Sequence, residues 1–218
     1  MKGYRLLLVI VCLAFSAIAC QFATQLTDQL SSSGDAVFRD DYSQPYSGWM
    51  RGTELPNGGI SDYADGKFRI LVNEPNFDYW SNPKLSFKNA RIEVDSVKQA
   101  GPDINRFGLI CRYKDEHNFY FFIISSDSYY GVGKVKDDHL SLIGMNEMLP
   151  SDAIQSGSGL NHLRADCIGD QLFFYVNGRL LTQVSDSEFP SGDVGILAGT
   201  FNEPGVDIAF DNFVVVKP

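Results

Sequence analysis

The sequence predicts an all-β protein built from two packed antiparallel sheets. From Val37 onward, short stretches of alternating apolar and polar residues recur, rich in Val, Ile, Phe and Tyr, with Gly, Asn, Asp and Pro between them. No stretch has the apolar period of about 3.6 residues that an amphipathic helix needs. About eleven strands in a single sheet would curl or split, so we expect two layers packed as a sandwich.

The strand candidates share this alternation and end at turn residues. Asn177-Gly178 separates two of them, and this dipeptide tolerates positive φ at both central positions of a tight hairpin turn. Gly169-Asp170 and residues 136–138 predict turns between strands in the same way. Neighbouring strands in sequence are therefore expected to pair antiparallel. The candidates are 67–73, 85–97, 107–113, 119–125, 129–135, 140–144, 161–168, 171–176, 179–185, 193–198 and 206–216.

The first 20 residues, MKGYRLLLVIVCLAFSAIAC, have the composition of an export signal that stops at a cysteine. Lys2 and Arg5 precede an apolar run at 6–15 that is too short to span a bilayer comfortably, and small residues follow. The stretch resembles a bacterial lipoprotein signal, which implies cleavage before Cys20 and a diacylglycerol on its thiol. Ala17 stands where leucine is more usual in that signal. Ordinary signal cleavage and an uncleaved anchor are therefore the alternatives.

Three segments follow from this interpretation. Residues 1–19 are the lipoprotein signal peptide, residues 20–34 are the lipidated cysteine with a flexible polar tether, and residues 35–218 are the β-sandwich domain. The protein is then exported to the cell envelope and held by its lipid on the extracytoplasmic side of a membrane. The content of 44% hydrophobic residues fits a folded domain of this length.

The net charge of the chain restricts the classes of molecule that it can bind. Residues 1–19 contain two of the 18 basic residues and none of the 27 acidic ones, so the remaining 16 basic and 27 acidic residues carry a net charge of −11. A chain this acidic is repelled by the phosphates of nucleic acid. We expect no nucleic-acid partner.

Two of the four cysteines are free to pair. Cys12 leaves with the signal and Cys20 carries lipid, which leaves Cys111 and Cys167, each within a predicted strand and in an oxidising compartment. A disulfide, either across strands or between sheets, is one interpretation. Two buried thiols that act as small apolar residues are the other.

Four segments carry a resemblance to a known family. They are FGLICRYKDEHNFYFFIISSDSYYGVGKV, NHLRADCIGDQLFFYVNGRLL, GDVGILAGT and IAFDNFVVV, in this order. Together they resemble the concanavalin A-like lectin/glucanase superfamily, nearest to laminin-G-like domains and those akin to the keto-disaccharide hydrolase domain. The resemblance covers 37–217 and implies a jelly roll of two antiparallel sheets with one concave face. The superfamily includes lectins, hydrolases, adhesion modules and structural domains, so the fold alone does not assign the function.

The carboxylate pattern argues against a glucanase. Glucanases of this superfamily use two carboxylates on one strand in the pattern E-x-D-x-x-E, about 5 Å apart in a retaining enzyme. The nearest match here runs from Glu93 through Asp95 to Lys98, which places a lysine where the second glutamate belongs. Alternation also directs Glu93 and Asp95 to the face of the sheet away from the core. We therefore expect no enzyme activity, with a glycoside hydrolase or sugar-processing enzyme that uses other groups as the alternative.

Aromatic side chains are the strongest binding signal, because sugar rings expose apolar C–H faces that stack on Trp and Tyr. Phe77, Tyr79 and Trp80 lie together between two prolines, with Asn82 as a partner for sugar hydroxyls. This segment is the favoured platform for a carbohydrate ligand. The alternative is that the large rings plug the end of the sandwich.

A second platform follows the turn at 126–128. Tyr129 and Tyr130 are adjacent there, and alternation directs one of them to the core. The sequence as a whole favours a lectin-like domain that binds carbohydrate without cleaving it. A scaffold domain for another exported protein is the third hypothesis.

Calcium is the only cofactor that the sequence suggests. Asp40 and Asp41 near the first strand and Asp211 in the last supply hard oxygen ligands for a structural Ca²⁺ ion. Without an ion, Asp40 and Asp41 begin a turn and Asp211 caps backbone amides at a bulge. Strand alternation places Asp211 on the same side as Phe213. The three histidines, His117, His139 and His162, show no metal-ligand spacing and are expected on the surface.

Overall fold

The computed structural model describes residues 36–218, without the side chains of Thr53 and Glu54. The predicted signal, Cys20 and the tether therefore lie outside the described residues. Within 36–218, no helix is long and apolar enough to span a membrane. The described elements are β1 (Ala36–Asp40), β2 (Gly52–Leu55), a 3₁₀ turn (Pro56–Gly58), β3 (Gly59–Ala64), β4 (Lys67–Val72), β5 (Asp78–Ser81), β6 (Ala90–Ala100), β7 (Asn105–Asp115), β8 (Asn118–Ile124), β9 (Tyr129–Lys136), β10 (His139–Leu142), β11 (Leu149–Pro150), β12 (Asn161–Ile168), β13 (Gln171–Val176), β14 (Arg179–Ser185), β15 (Asp193–Thr200) and β16 (Val206–Val216).

The strands form two antiparallel sheets. The nine-stranded sheet has the order β14-β13-β12-β6-β16-β4-β3-β2, with β1 paired to β16. The seven-stranded sheet has the order β10-β9-β8-β7-β15-β5, with β11 paired to β9. At the β13–β14 hairpin, Asn177 and Gly178 have φ of 52° and 80°, as the sequence predicts. The predicted two-sheet antiparallel jelly-roll sandwich is confirmed.

Alternating side chains of both sheets fill the core between them. On β4 the inward residues Phe68, Ile70 and Val72 are fully buried. Between the sheets, the rings of Phe122 on β8 and Phe174 on β13 lie 5.7 Å apart. Burial of such side chains is the main stabilising contribution, at about 25 cal/mol per Å² of apolar surface.

A disulfide also joins the two layers. Cys111 on β7 and Cys167 on β12 are bonded, with Cα atoms 6.9 Å apart and a separation of 56 positions in sequence. The disulfide interpretation is therefore confirmed, in its sheet-to-sheet form.

The seven-stranded sheet is apolar on its outer face as well. Tyr120 and Phe122 of β8 point into the core, whereas Phe119, Phe121 and Ile123 belong to a second cluster on the opposite face. This second cluster includes Ile110 and Leu197 and is also buried. This apolar outer face, against which Trp80 and Tyr113 pack, is the feature that positions the candidate site.

Five strands were not predicted, namely β1, β2, β3, β5 and β11. Of these, β5 has only four residues and lies between prolines, so its pairing with β15 has no local signal. The predicted strand at 85–97 is wrong at its start. Phe87 forms only an isolated bridge with Gly192, and β6 begins at Ala90.

The side predicted for Asp211 is also wrong. A β-bulge follows Asp211, with Asn212 at a φ of 54°, and it adds a residue that reverses the alternation. As a result, Phe213 is fully buried in the core, while Asp211 forms an ion pair with Lys67 on β4.

Candidate functional site

The outer face of the seven-stranded sheet contains a groove of about 220 Å³, here called the sheet groove. Its floor is made by Phe119, Phe121, Ile123 and Leu197, which are all buried. Trp80, on edge strand β5, lines the groove and is only partly buried. An indole beside an apolar floor provides a surface on which an apolar ring face can stack.

Two glycines make room for the groove. A Cβ atom on Gly133 of β9 would lie 2.3 Å from Cζ of Phe121, so glycine allows that ring to lie over the strand. A Cβ atom on Gly199 of β15 would overlap the carboxylate of Asp78 and lie 2.9 Å from Nε of Arg106. Larger residues at either position would push these groups away from the sheet.

Trp80 is held by contacts with two other strands. Its Nε1 donates a hydrogen bond of 3.3 Å to the hydroxyl of Tyr113 on β7, and its ring lies 5.9 Å from that of Phe119. Burial raises the pKa of Tyr113, with Glu116 and Asp115 adding to the effect, so the phenol stays neutral at physiological pH. The indole therefore has a defined orientation.

Charged groups beside the sheet groove are paired with each other. Arg106 on β7 donates two hydrogen bonds, of 2.5 and 3.0 Å, to Asp78 on β5, and its guanidinium lies 4.7 Å from the ring centroid of Phe201. Burial raises the pKa of Asp78, and the hydrogen bond from Arg106 opposes that shift. The pair places donors and acceptors beside an apolar floor, which is an arrangement suited to a polar ligand with apolar faces.

A second charged group lies at the turns that follow β7 and β9. His117 Nδ1 is 2.5 Å from Asp138, and its Nε2 is 3.3 Å from Glu116. The hydrogen bond with Asp138 raises the pKa of His117. Both carboxylates line the sheet groove.

The favoured platform is divided by the alternation of β5. Trp80 reaches the groove, whereas Tyr79 points into the core and is 7% exposed. Phe77, just before the strand, is exposed, and its ring lies 5.2 Å from that of Tyr79. Asn82 is fully buried, and its Nδ2 donates a hydrogen bond of 2.7 Å to the carbonyl of Val194. Phe77, Tyr79 and Trp80 nevertheless line one further depression together, which Asn82 does not line.

The second predicted platform lies elsewhere. Tyr129 is exposed in a shallow depression of about 400 Å³, together with Pro150 and Arg179. Tyr130 is buried, and its hydroxyl donates to the carbonyl of Leu181. Neither tyrosine lines the sheet groove.

The three aspartates predicted for calcium have protein partners. Asp40 is buried and accepts hydrogen bonds of 2.8 Å from Trp49 Nε1 and from the backbone N–H of Tyr42. Asp41 binds Ser43 within its turn, and Asp211 pairs with Lys67. Residues 36–218 contain no group of three or more His, Cys, Asp or Glu side chains that could hold a metal ion. These aspartates do not fit a calcium site.

The residues that come nearest to the glucanase pattern lie on the other sheet. On the outer face of β6, Glu93 and Asp95 both contact His162 of β12, at 3.5 and 2.8 Å. Lys98 pairs with Asp103 and donates to the carbonyl of Gly101. The sheet groove is on the seven-stranded sheet, so this set is not part of it.

Tyr113, Arg106, Glu116 and the floor residues were not predicted as site residues from the sequence. One signal was available, because Phe119–Ile124 is apolar at every position and a strand with one solvated face alternates. The Asp78–Arg106 pair had no local signal, since it forms only when β15 separates β5 from β7.

No protein-family model and no curated protein matches the sequence. Several solved structures resemble the fold. The carbohydrate-binding module CBM66 from Bacillus subtilis has a TM-score of 0.59 and 19% identity, over 78% of this chain and 96% of that one. A galectin-like protein of unknown function from Bacillus subtilis has a TM-score of 0.61 and 13% identity, over 84% and 96%. A β-glucanase from Bacillus licheniformis has a TM-score of 0.59 and 12% identity, over 85% and 100%. At these identities the similarity establishes a shared fold.

Proposed function

We propose that this chain, which has the concanavalin A-like lectin/glucanase fold, binds carbohydrate in the sheet groove without cleaving it. The observation that carries the proposal is the position of Trp80. Its indole stands beside a buried apolar floor, with the paired charges of Asp78 and Arg106 next to it. Sugars present apolar C–H faces and hydroxyl groups side by side, and this arrangement matches both.

The state of the carboxylates supports binding without cleavage. A glycosidase needs one carboxyl group that protonates the leaving oxygen and a second that acts as nucleophile or base. Among the carboxylates that line the sheet groove, Asp78 is engaged by Arg106 and Asp138 by His117. The pattern from Glu93 to Lys98 is on the other sheet and has no second glutamate.

The cell-envelope location rests on the sequence. In this proposal Cys20 carries the lipid anchor, and residues 20–34 connect it to the sandwich on the extracytoplasmic side. The partner is then a polysaccharide or glycan outside the cytoplasm, and nucleic acid is not among the ligands.

The test is retention of the full-length chain, solubilised in detergent, on a panel of polysaccharides in native affinity electrophoresis. We expect retention on at least one of them and no release of reducing sugar. Trp80→Ala should abolish retention. Tyr129→Ala, which removes an exposed ring of the other depression, is the matched control and should leave retention unchanged.

Three outcomes would contradict parts of this proposal. Retention by no polysaccharide, together with a co-purifying protein, would favour the scaffold hypothesis. Release of reducing sugar that survives purification would make the chain an enzyme. If the Cys20→Ser variant associates with the membrane as the wild type does, the proposed lipid anchor on Cys20 is wrong.

A further inference from the structure

A second depression, of about 360 Å³, adjoins the sheet groove at Trp80. Asp78, Trp80 and Glu116 line both of them. The second depression is bounded by residues from the β2 region, including Met50 and Leu55. A ligand longer than one sugar ring can therefore extend from the sheet groove into the second depression.

Two residues that line this depression carry buried hydroxyl groups without a hydrogen-bond partner. Ser61 and Tyr79 both line it and are 4% and 7% exposed. Within the described part of the chain, neither Ser61 Oγ nor Tyr79 Oη makes a hydrogen bond. Other hydroxyls nearby are satisfied, since Ser81 Oγ donates to the carbonyl of Met50 at 2.7 Å.

An unpartnered buried hydroxyl is unusual because most buried polar groups are paired. Leaving one without a partner destabilises the protein unless a bound group completes it. Burial also raises the pKa of Tyr79, which keeps its phenol protonated and able to donate. Two such hydroxyls in one depression therefore point to a ligand that itself carries hydroxyl groups.

The charges of the two depressions bear on the class of ligand. Their cations are Arg51 and Arg106. Arg51 donates two hydrogen bonds to the carboxylate of Asp62, and Arg106 donates two to that of Asp78. Among the described lining residues, no other lysine or arginine is present. An anionic sugar would thus meet carboxylates without a free cation to balance its charge.

We infer that the ligand is a neutral glycan of at least two sugar units, one against Trp80 in the sheet groove and the next in the second depression, where its hydroxyls bind Ser61 and Tyr79. This inference rests on the proposed function and specifies the ligand of the same site. The indole supplies stacking, and the two buried hydroxyls recognise the orientation of the sugar hydroxyls.

The test uses the full-length chain in detergent and measures affinity for the polysaccharides that retain it, for their disaccharides and monosaccharides, and for uronic-acid polymers. Tyr79→Phe and Ser61→Ala should each weaken binding about 5- to 10-fold, as expected for the loss of one hydrogen bond. Their melting midpoints should stay the same or rise, because each change removes an unpartnered polar group.

Tyr42→Phe is the matched control. Its hydroxyl is also buried without a partner in the described chain, but Tyr42 lines neither depression. We expect its affinity to equal that of the wild type. A disaccharide should bind more tightly than the monosaccharide, and uronic-acid polymers should not be retained.

The outcomes distinguish failure of carbohydrate binding from failure of the second subsite. If no polysaccharide retains the wild type, the proposed function is wrong. If retention depends on Trp80 but Tyr79→Phe and Ser61→Ala bind normally, only the second subsite is wrong. If uronic-acid polymers bind better than neutral ones, the neutral-glycan inference fails while carbohydrate binding stands.

Discussion

Trp80 Nε1 donates a hydrogen bond of 3.3 Å to Tyr113 Oη, and the two residues belong to strands that β15 separates. The hydrogen bond crosses over β15 and sets the orientation of the indole at the sheet groove. Phe119 supports both rings, at centroid distances of 5.9 and 5.7 Å. The proposed platform is therefore built by three strands, although only one residue of it was identified from the sequence.

Tyr113→Phe should weaken carbohydrate binding less than Trp80→Ala does. The substitution removes the acceptor of the indole N–H but keeps the ring that packs on Phe119. We expect a loss of several-fold in affinity and a change in unfolding free energy below about 1.5 kcal/mol. Affinity electrophoresis and urea denaturation measure the two quantities. A complete loss of binding would show that Tyr113 itself contacts the ligand.

The two tryptophans should differ in their contribution to stability. Trp49 is 4% exposed and bonded to Asp40, so Trp49→Ala should cost about 3 to 5 kcal/mol of unfolding free energy. Trp80 is only partly buried, and Trp80→Ala should cost roughly 1 to 2 kcal/mol, below the range for core aromatics. Urea denaturation of both variants gives the comparison. Equal losses would identify Trp80 as a core residue rather than a platform.

Reduction of the disulfide should destabilise the sandwich. Cys111 and Cys167 close a long loop, and such a crosslink contributes about 2 to 4 kcal/mol, chiefly by restricting the unfolded chain. The double variant Cys111→Ala, Cys167→Ala should show the same lowered melting midpoint with and without reductant. The intact wild-type mass should be two hydrogens lower before reduction. An unchanged midpoint on reduction would contradict the expected stabilisation.

The stability that His162 provides should disappear at high pH. Hydrogen bonds with Asp95 and then Glu93 raise the pKa of His162 to about 9, from an ordinary value of 6.5. Because the folded pKa exceeds the unfolded one, the contribution is complete below about pH 6.5 and is lost as the pH rises through about 9. The difference in melting midpoint between wild type and His162→Asn should therefore shrink from pH 6 to pH 10.

His139→Asn is the control for this series. His139 is exposed on β10, and its replacement should leave the midpoint unchanged at every pH. A His162→Asn difference that stays constant from pH 6 to pH 10 would show that His162 acts through packing alone.

Chelation of calcium should leave the melting midpoint unchanged. Asp40 is engaged by Trp49, Asp41 by Ser43 and Asp211 by Lys67, so these carboxylates already have partners. Thermal unfolding with EDTA, with added Ca²⁺ and without either measures the effect. A fall in the midpoint with EDTA that Ca²⁺ reverses would restore the calcium hypothesis.

Several elements could be predicted in detail. The bounds of β12, β13, β14 and β16 agree with the sequence, because alternation and a tight turn at Asn177-Gly178 are signals within a few residues. The side of the sheet predicted for Asp211 was wrong, because the bulge at Asn212 reverses the alternation and has no signature in the local composition. Local patterns therefore predict the strands that adjoin clear turns well, and predict irregularities within strands poorly.

The candidate site was predicted only at its centre. Phe77, Tyr79 and Trp80 were predicted as one platform with Asn82, but Asn82 is buried and lines neither depression. Of the platform residues only Trp80 reaches the sheet groove, because the consecutive side chains of Tyr79 and Trp80 on β5 point to opposite faces. The strand exists through its pairing with β15, more than 100 residues later in the chain.

By itself, the sequence determined the strand periodicity, the hairpin turns and the absence of a complete glucanase pattern around Glu93. It also identified Trp80 as a candidate for stacking on a sugar ring. These properties depend on residues within one turn or one strand of each other. The tertiary structure alone decided that Asp78 meets Arg106, that Trp80 meets Tyr113 and that Ser61 and Tyr79 share a depression. Such contacts depend on sheet order and register, which arise from the packing of the whole chain rather than from any local stretch of it.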